Sequence, residues 1–138
     1  MLRIALSSFL ILFLLALAPS HTKAEPYLLT VQQLKAGMDK ASQASQKGFV
    51  LVDVRSPEEH QEGFIPGTDF NIDFRQIQER HQELRSELDR HIVVYCQSGH
   101  RSNIAAETLM SLGYTNVYNV EGSMNAWEEA KYPIEHAR

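Results

Sequence analysis

One cysteine in 138 residues rules out an intrachain disulfide framework, and with it any cysteine-rich zinc or iron–sulfur site. Positive charge is scarce as well. Lys and Arg number 13 against 17 Asp and Glu, for a net −4, and the basic residues nowhere form a block. That balance argues against nucleic acid as a partner. The six histidines fall at no metal-ligand spacing, so no metal is expected, and nothing calls for a cofactor. Seven glycines and five prolines among 43% hydrophobic residues exclude a collagen-like or disordered chain. No internal repeat, low-complexity tract or interdomain linker interrupts the sequence, and the length suits one domain.

What is present is unevenly spread. Residues 1–24 contain no acid and only two bases, Arg3 and Lys23. Ile4–Ala18 (IALSSFLILFLLALA) is a nearly unbroken apolar run. As a helix it would span about 22 Å, short of a ~30 Å hydrocarbon core. Thr22-Lys23-Ala24 puts small residues at −3 and −1 of a cleavage site before Glu25. This is the pattern of a secretory signal peptide. It assigns residues 1–24 to a leader and 25–138 to the domain, which is expected to be periplasmic or secreted, monomeric, and free of the membrane once cut. The alternative is an uncleaved N-terminal membrane anchor. Without the leader, eleven bases face 17 acids, a net −6.

Beyond the leader, strand and helix patterns alternate. Thr30 is a good N-cap for a helix with Val31, Leu34 and Met38 on one face. Phe49–Val54 (FVLVDV) and His91–Tyr95 (HIVVY) read as strands buried on both faces. Ser56-Pro57-Glu58-Glu59 is a capping-box start. Phe70-Asn71-Ile72 reads as a brief strand. Asp73 is placed to cap a polar helix reaching Leu88, with Phe74, Ile77, Leu84 and Leu88 as its apolar stripe. A helix over Ser102–Leu112 would turn Ile104, Ala105, Leu109 and Leu112 inward and end at Gly113. Val117–Val120 reads as another strand and Ser123–Ala130 as a last helix. The alternation implies an α/β domain with a mostly parallel central sheet and helices on both faces. Ligands of such sheets bind beyond the carboxyl ends of the strands.

Cys96 falls at one of those ends. The loop Cys96-Gln97-Ser98-Gly99-His100-Arg101-Ser102 joins a strand to a helix N-terminus, where several backbone N–H groups lack partners. Gly99 lets the loop curl, so that these groups form a nest for an anion. The same field favours thiolate over thiol and marks Cys96 as a nucleophile. Arg101 adds a cation and a fork for an oxyanion. Ser98 and Ser102 can offer hydroxyls, with a plain helix N-cap the competing role for Ser102. His100 is expected at the rim. Asp53 and Arg55 are expected to form a buried ion-pair scaffold behind the loop, with Glu59 as a further partner of Arg55.

At these residues the chain resembles the rhodanese family of sulfurtransferases, over about residues 27–134. Four patches carry the resemblance. Leu51-Val52-Asp53-Val54-Arg55-Ser56-Pro57-Glu58-Glu59-His60 is similar to the family's Asp-x-Arg strand and turn. Gly63-Phe64-Ile65-Pro66-Gly67 is similar to its Gly-His-Ile-Pro-Gly turn, with Phe64 in place of the His. Val94 through Ser102 resembles its active-site loop. Val120-Glu121-Gly122-Ser123-Met124-Asn125-Ala126-Trp127 is similar to its Gly-Gly-x-x-x-Trp ending, with Ser123 in place of the second Gly.

The resemblance implies a rhodanese-like fold and transfer of a sulfane sulfur through a persulfide on Cys96. The donor would be small and anionic, thiosulfate or a persulfide or polysulfide, and the acceptor a thiol or cyanide. Two other readings stay beside it. One is a non-enzymatic sulfur carrier or regulatory module. The other is a cysteine-dependent phosphatase or arsenate reductase, which the loop length disfavours: four residues separate Cys96 from Arg101, where the related dual-specificity phosphatases have five.

Overall fold

The computed structural model describes residues 23–138. The leader, apart from Lys23 and Ala24, lies outside the described residues. Five strands, β1 (Tyr27–Leu29), β2 (Phe49–Asp53), β3 (Phe70–Asn71), β4 (His91–Tyr95) and β5 (Asn116–Val120), form one sheet in the order β1-β5-β4-β2-β3. Every pairing in it is parallel. Helices α1 (Val31–Gln43), α2 (Pro57–Glu62), α3 (Ile77–Arg80), α4 (His100–Ser111) and α5 (Ser123–Glu129) make the connections. Among the described residues, no helix is long and apolar enough to cross a membrane.

The continuous apolar runs of β2 and β4 have a direct cause. Side chains alternate across a strand, and both faces of the sheet are covered. Val50, Val52, Val54, Ile92, Val94 and Cys96 face one core with Ala105, Ala106 and Leu109 of α4. Leu51, Val93 and Tyr95 face the other, with Leu34 of α1 and Met124 and Trp127 of α5. The helix starts foreseen at Thr30 and Ser56 are both capping boxes. Thr30 and Gln33 exchange bonds at 3.1 and 2.9 Å, and Ser56 and Glu59 at 3.2 and 3.1 Å.

Two local expectations need correction. The stretch after Asp73 is not one helix to Leu88. It is a 3₁₀ turn at Phe74–Gln76, the single turn α3, and a second 3₁₀ turn at His81–Leu84, stopped by Arg85 in the left-handed region (φ 47°). Only Ile77 and Leu84 of the expected stripe are buried, and Leu88 is 52% exposed. Two apolar anchors seven residues apart do not bury enough to hold a continuous helix. In α4 the inward face is Ser102, Ala105, Ala106 and Leu109, while Ile104 is exposed. The helix begins at His100; at 3.6 residues per turn Ser102, Ala105, Ala106 and Leu109 share one face, and position 104 falls outside it.

Candidate active site

Cys96 immediately follows β4, beside the end of β2, where Asp53 pairs with Tyr95. Its sulfur is almost wholly enclosed, the residue being 1% exposed. Gly99 carries φ 102°, a conformation that side chains with a Cβ rarely adopt. That twist turns the Gly99 N–H onto Cys96 Sγ at 3.1 Å. Ser102 Oγ approaches the same sulfur at 3.3 Å. No side chain caps α4; the sulfur occupies the acceptor position that a capping oxygen would take.

Burial alone would push the Cys96 thiol up. Hydrogen bonds from the Ser102 hydroxyl and from the N–H groups of Ser102, Gly99 and Ser98 outweigh burial and hold it below its ordinary value. The groups that touch the sulfur are thus neutral donors, and the Arg101 charge reaches it only through space.

The cations are committed elsewhere. Arg101 makes a fork-to-fork pair with Glu59, at 2.8 and 2.7 Å. Glu59 is therefore not the partner of Arg55. Its capping bond to Ser56 aims the carboxylate across to the Cys96 loop, and it does two jobs there. The Arg101 bond holds its carboxyl far down, to about 2, against the effect of partial burial. Arg55 is buried on fully buried Asp53, bonded at 2.7 Å through Nη2 and 3.0 Å through Nε, and also donates to the Gly63 carbonyl at 2.6 Å. His60 Nδ1 lies 2.9 Å from the same carboxylate. Gln97 bridges the two connections: Arg55 donates to its Oε1 at 3.4 Å, and its Nε2 donates to Asn125 at 2.6 Å. Ser98 and His100 are exposed at the rim.

Two residues not picked as site residues from the sequence complete the site. Ser123 is fully buried with φ 46°, the backbone shape that a second glycine would adopt freely. Its Oγ accepts the Cys96 N–H at 3.1 Å and donates to the Val120 carbonyl at 2.9 Å. The Cys96 and Gln97 carbonyls in turn accept the N–H groups of Met124 and Asn125 at 3.1 and 2.9 Å. Asn119 accepts from Ser102 at 2.6 Å and donates to the Gly99 carbonyl at 3.1 Å. The signal for Asn119 was a polar residue between Tyr118 and Val120 in a buried strand; the signal for Ser123 was its departure from glycine. Among the described residues, no group of His, Cys, Asp or Glu could hold a metal.

A lone thiol at a strand's carboxyl end, wrapped by the N–H groups of a short loop, defines an α/β domain of the cysteine-loop class. The rhodanese-like domain profile matches residues 30–130. A sulfurtransferase of Allochromatium vinosum is 37% identical over 91 residues, covering 66% of this chain and 82% of its own. The thiosulfate sulfurtransferase GlpE of Pseudomonas syringae is 34% identical over 97 residues, covering 70% and 88%. The crystal structure of a rhodanese-related protein from Thermoplasma volcanium superposes with a TM-score of 0.66 at 28% identity, covering 80% of this chain and 99% of that one. The chain belongs to the rhodanese-like domain family, and it is a sulfurtransferase.

Proposed function

We propose that Cys96 carries a sulfane sulfur as a persulfide, taking it from thiosulfate or a persulfide or polysulfide and passing it to a thiol or cyanide. The carrying observation is the donor set on Sγ, the Gly99 N–H at 3.1 Å and the Ser102 hydroxyl at 3.3 Å. The thiolate attacks the outer sulfur of thiosulfate. An Sγ–S bond forms, the donor's S–S bond breaks, and the electron pair leaves with sulfite. The negative charge then rests on the outer persulfide sulfur, held by the loop N–H groups as an oxyanion hole holds its charge. Attack by cyanide or a thiolate on that outer sulfur returns the Cys96 thiolate and releases thiocyanate or a new persulfide. The names of the relatives support thiosulfate as one donor.

Ester hydrolysis by the same loop lacks support. A phosphatase needs a general acid. Asp53 is locked on Arg55, and Asp73 is bound to Arg75, which lowers its carboxyl further. The test is intact mass after incubation with thiosulfate. Wild-type protein should gain one sulfur, lose it to cyanide and turn over; Cys96→Ala should gain none. Loading without acceptor-dependent turnover would make the chain a carrier, and turnover by the variant would end the proposal.

The apolar run at Ile4–Ala18 supports export with cleavage before Glu25, leaving a monomeric domain outside the cytoplasm. Cleavage would remove Lys23 and its contact with Glu107, an exposed pair of little consequence for stability. N-terminal sequencing of exported protein should begin at Glu25; a chain starting at Met1 would favour the anchor.

A further inference from the structure

Asn119 lies on β5 in register with Val94 of β4, buried close to the sulfur. Its amide orientation is set by its neighbours. Nδ2 donates to the Gly99 carbonyl, which can only accept, so Oδ1 faces Ser102. The 2.6 Å contact between Ser102 Oγ and Oδ1 needs the Ser102 proton. The same Oγ lies 3.3 Å from Cys96 Sγ. A hydroxyl has one proton, so Ser102 serves the amide or the sulfur at any moment. Ser123 cannot relieve the conflict. Its proton goes to the Val120 carbonyl, and its Oγ is 3.5 Å from Ser102 Oγ.

We propose that Asn119 is a positioning residue that competes with the Cys96 sulfur for the single Ser102 proton, yielding it to the thiolate and reclaiming it when Sγ becomes the inner atom of a persulfide. The proposal rests on Cys96 being the sulfur carrier. With a thiol at Cys96, the S–H donates to Ser102 Oγ and Ser102 donates to Asn119. With a thiolate, the hydroxyl turns to the sulfur and leaves a buried amide oxygen without its donor, which is costly. In the persulfide the charge has moved to the outer sulfur, and the hydroxyl returns to Asn119. The amide therefore favours the loaded state over the free thiolate.

The charged groups around Cys96 are not part of this exchange. They are Arg101 of α4 with its partner Glu59 of α2, the Asp53–Arg55 pair after β2, and Asp73, held by Arg75. His100 and Glu121 are exposed.

The test is the pH dependence of Cys96 alkylation by iodoacetamide in wild type, Asn119→Leu, Ser102→Ala and the double variant. Asn119→Leu should lower the midpoint by roughly half to one pH unit, about 3- to 10-fold more thiolate below it. Ser102→Ala should raise it, and adding Asn119→Leu to Ser102→Ala should change nothing further. The sulfur loaded at a fixed thiosulfate-to-sulfite ratio should fall in Asn119→Leu. A merely structural role would act oppositely: loss of the Nδ2 bond would loosen Gly99, withdraw its N–H and raise the midpoint. A raised or unchanged midpoint, or a drop that persists without Ser102, overturns the proposal. If circular dichroism shows Asn119→Leu unfolded, Asn119→Ala is read in the same cycle. Wild-type protein that takes no sulfur from thiosulfate or from glutathione persulfide would overturn the carrier reading, while the alkylation profiles still decide the Asn119 contact.

Discussion

Two strand-to-helix connections stand side by side at the carboxyl edge of the sheet, and they treat their helix N-termini in opposite ways. After β2, Ser56 and Glu59 close a capping box, with Pro57 in the first turn. The charges there are matched: Arg55 with Asp53, and Glu59 with Arg101. After β4, α4 has a left-handed glycine where a capping side chain would stand, and its donors converge on a sulfur. The first connection spends its donors on itself. The second aims them at the Cys96 sulfur. Formal charge is kept in pairs around the sulfur, and the sulfur itself is served by dipoles. Under the proposed mechanism such an arrangement serves a thiolate and a persulfide anion alike, because preorganised donors already point to where the charge sits.

Substitutions can break either half. Cys96→Ala should abolish sulfur loading and cyanide-dependent turnover without unfolding the domain, as intact mass and a thiocyanate assay would report. Arg55→Met leaves the fully buried Asp53 carboxylate without its main partner. It should cost about 3–5 kcal/mol, the usual result of stranding one member of a buried pair, measured by urea unfolding. Ser102→Ala should raise the Cys96 alkylation midpoint and slow alkylation at neutral pH by about 3- to 10-fold, the effect of losing one hydrogen bond to an anion. Ser56→Ala should cost about 1 kcal/mol of stability, the value of a helix cap, and should loosen Glu59.

Glu59→Gln should cost least, within about 1 kcal/mol, because a third of the pair is open to solvent. Its pH signature is distinctive. The Glu59 carboxyl is depressed in the folded protein to about 2. Its contribution is therefore complete above the ordinary carboxylate range and is lost as pH falls from about 4.5 towards 2. The difference in melting temperature between wild type and Glu59→Gln should shrink across that window.

The fold was legible because its signals are local. Phe49–Val54 and His91–Tyr95 announce buried parallel strands, and Thr30 and Ser56 announce their helices. The sulfur and its main-chain cradle were legible for the same reason, since Cys96, Gly99 and Ser102 lie within one loop. Partner choice was not. Glu59 is nearer to Arg55 than to Arg101 in the chain, and only the packing of α2 against the Cys96 loop decides between them. Asn119 depends on β5 lying next to β4, a matter of strand order. The segment after Asp73 misled because its charge pattern suits a helix, whereas too little of it is buried to keep one continuous.

The pairing of β1 with β5 joins Tyr27 to Tyr118 and Leu29 to Val120. The first strand thus has no partner in the sheet until the chain has been made as far as Val120. Contacts so distant in sequence close slowly, and a ribosome that delivers the chain from its front end holds the sheet open until β5 appears. The wiring of the sheet thus delays its completion until β5 has emerged.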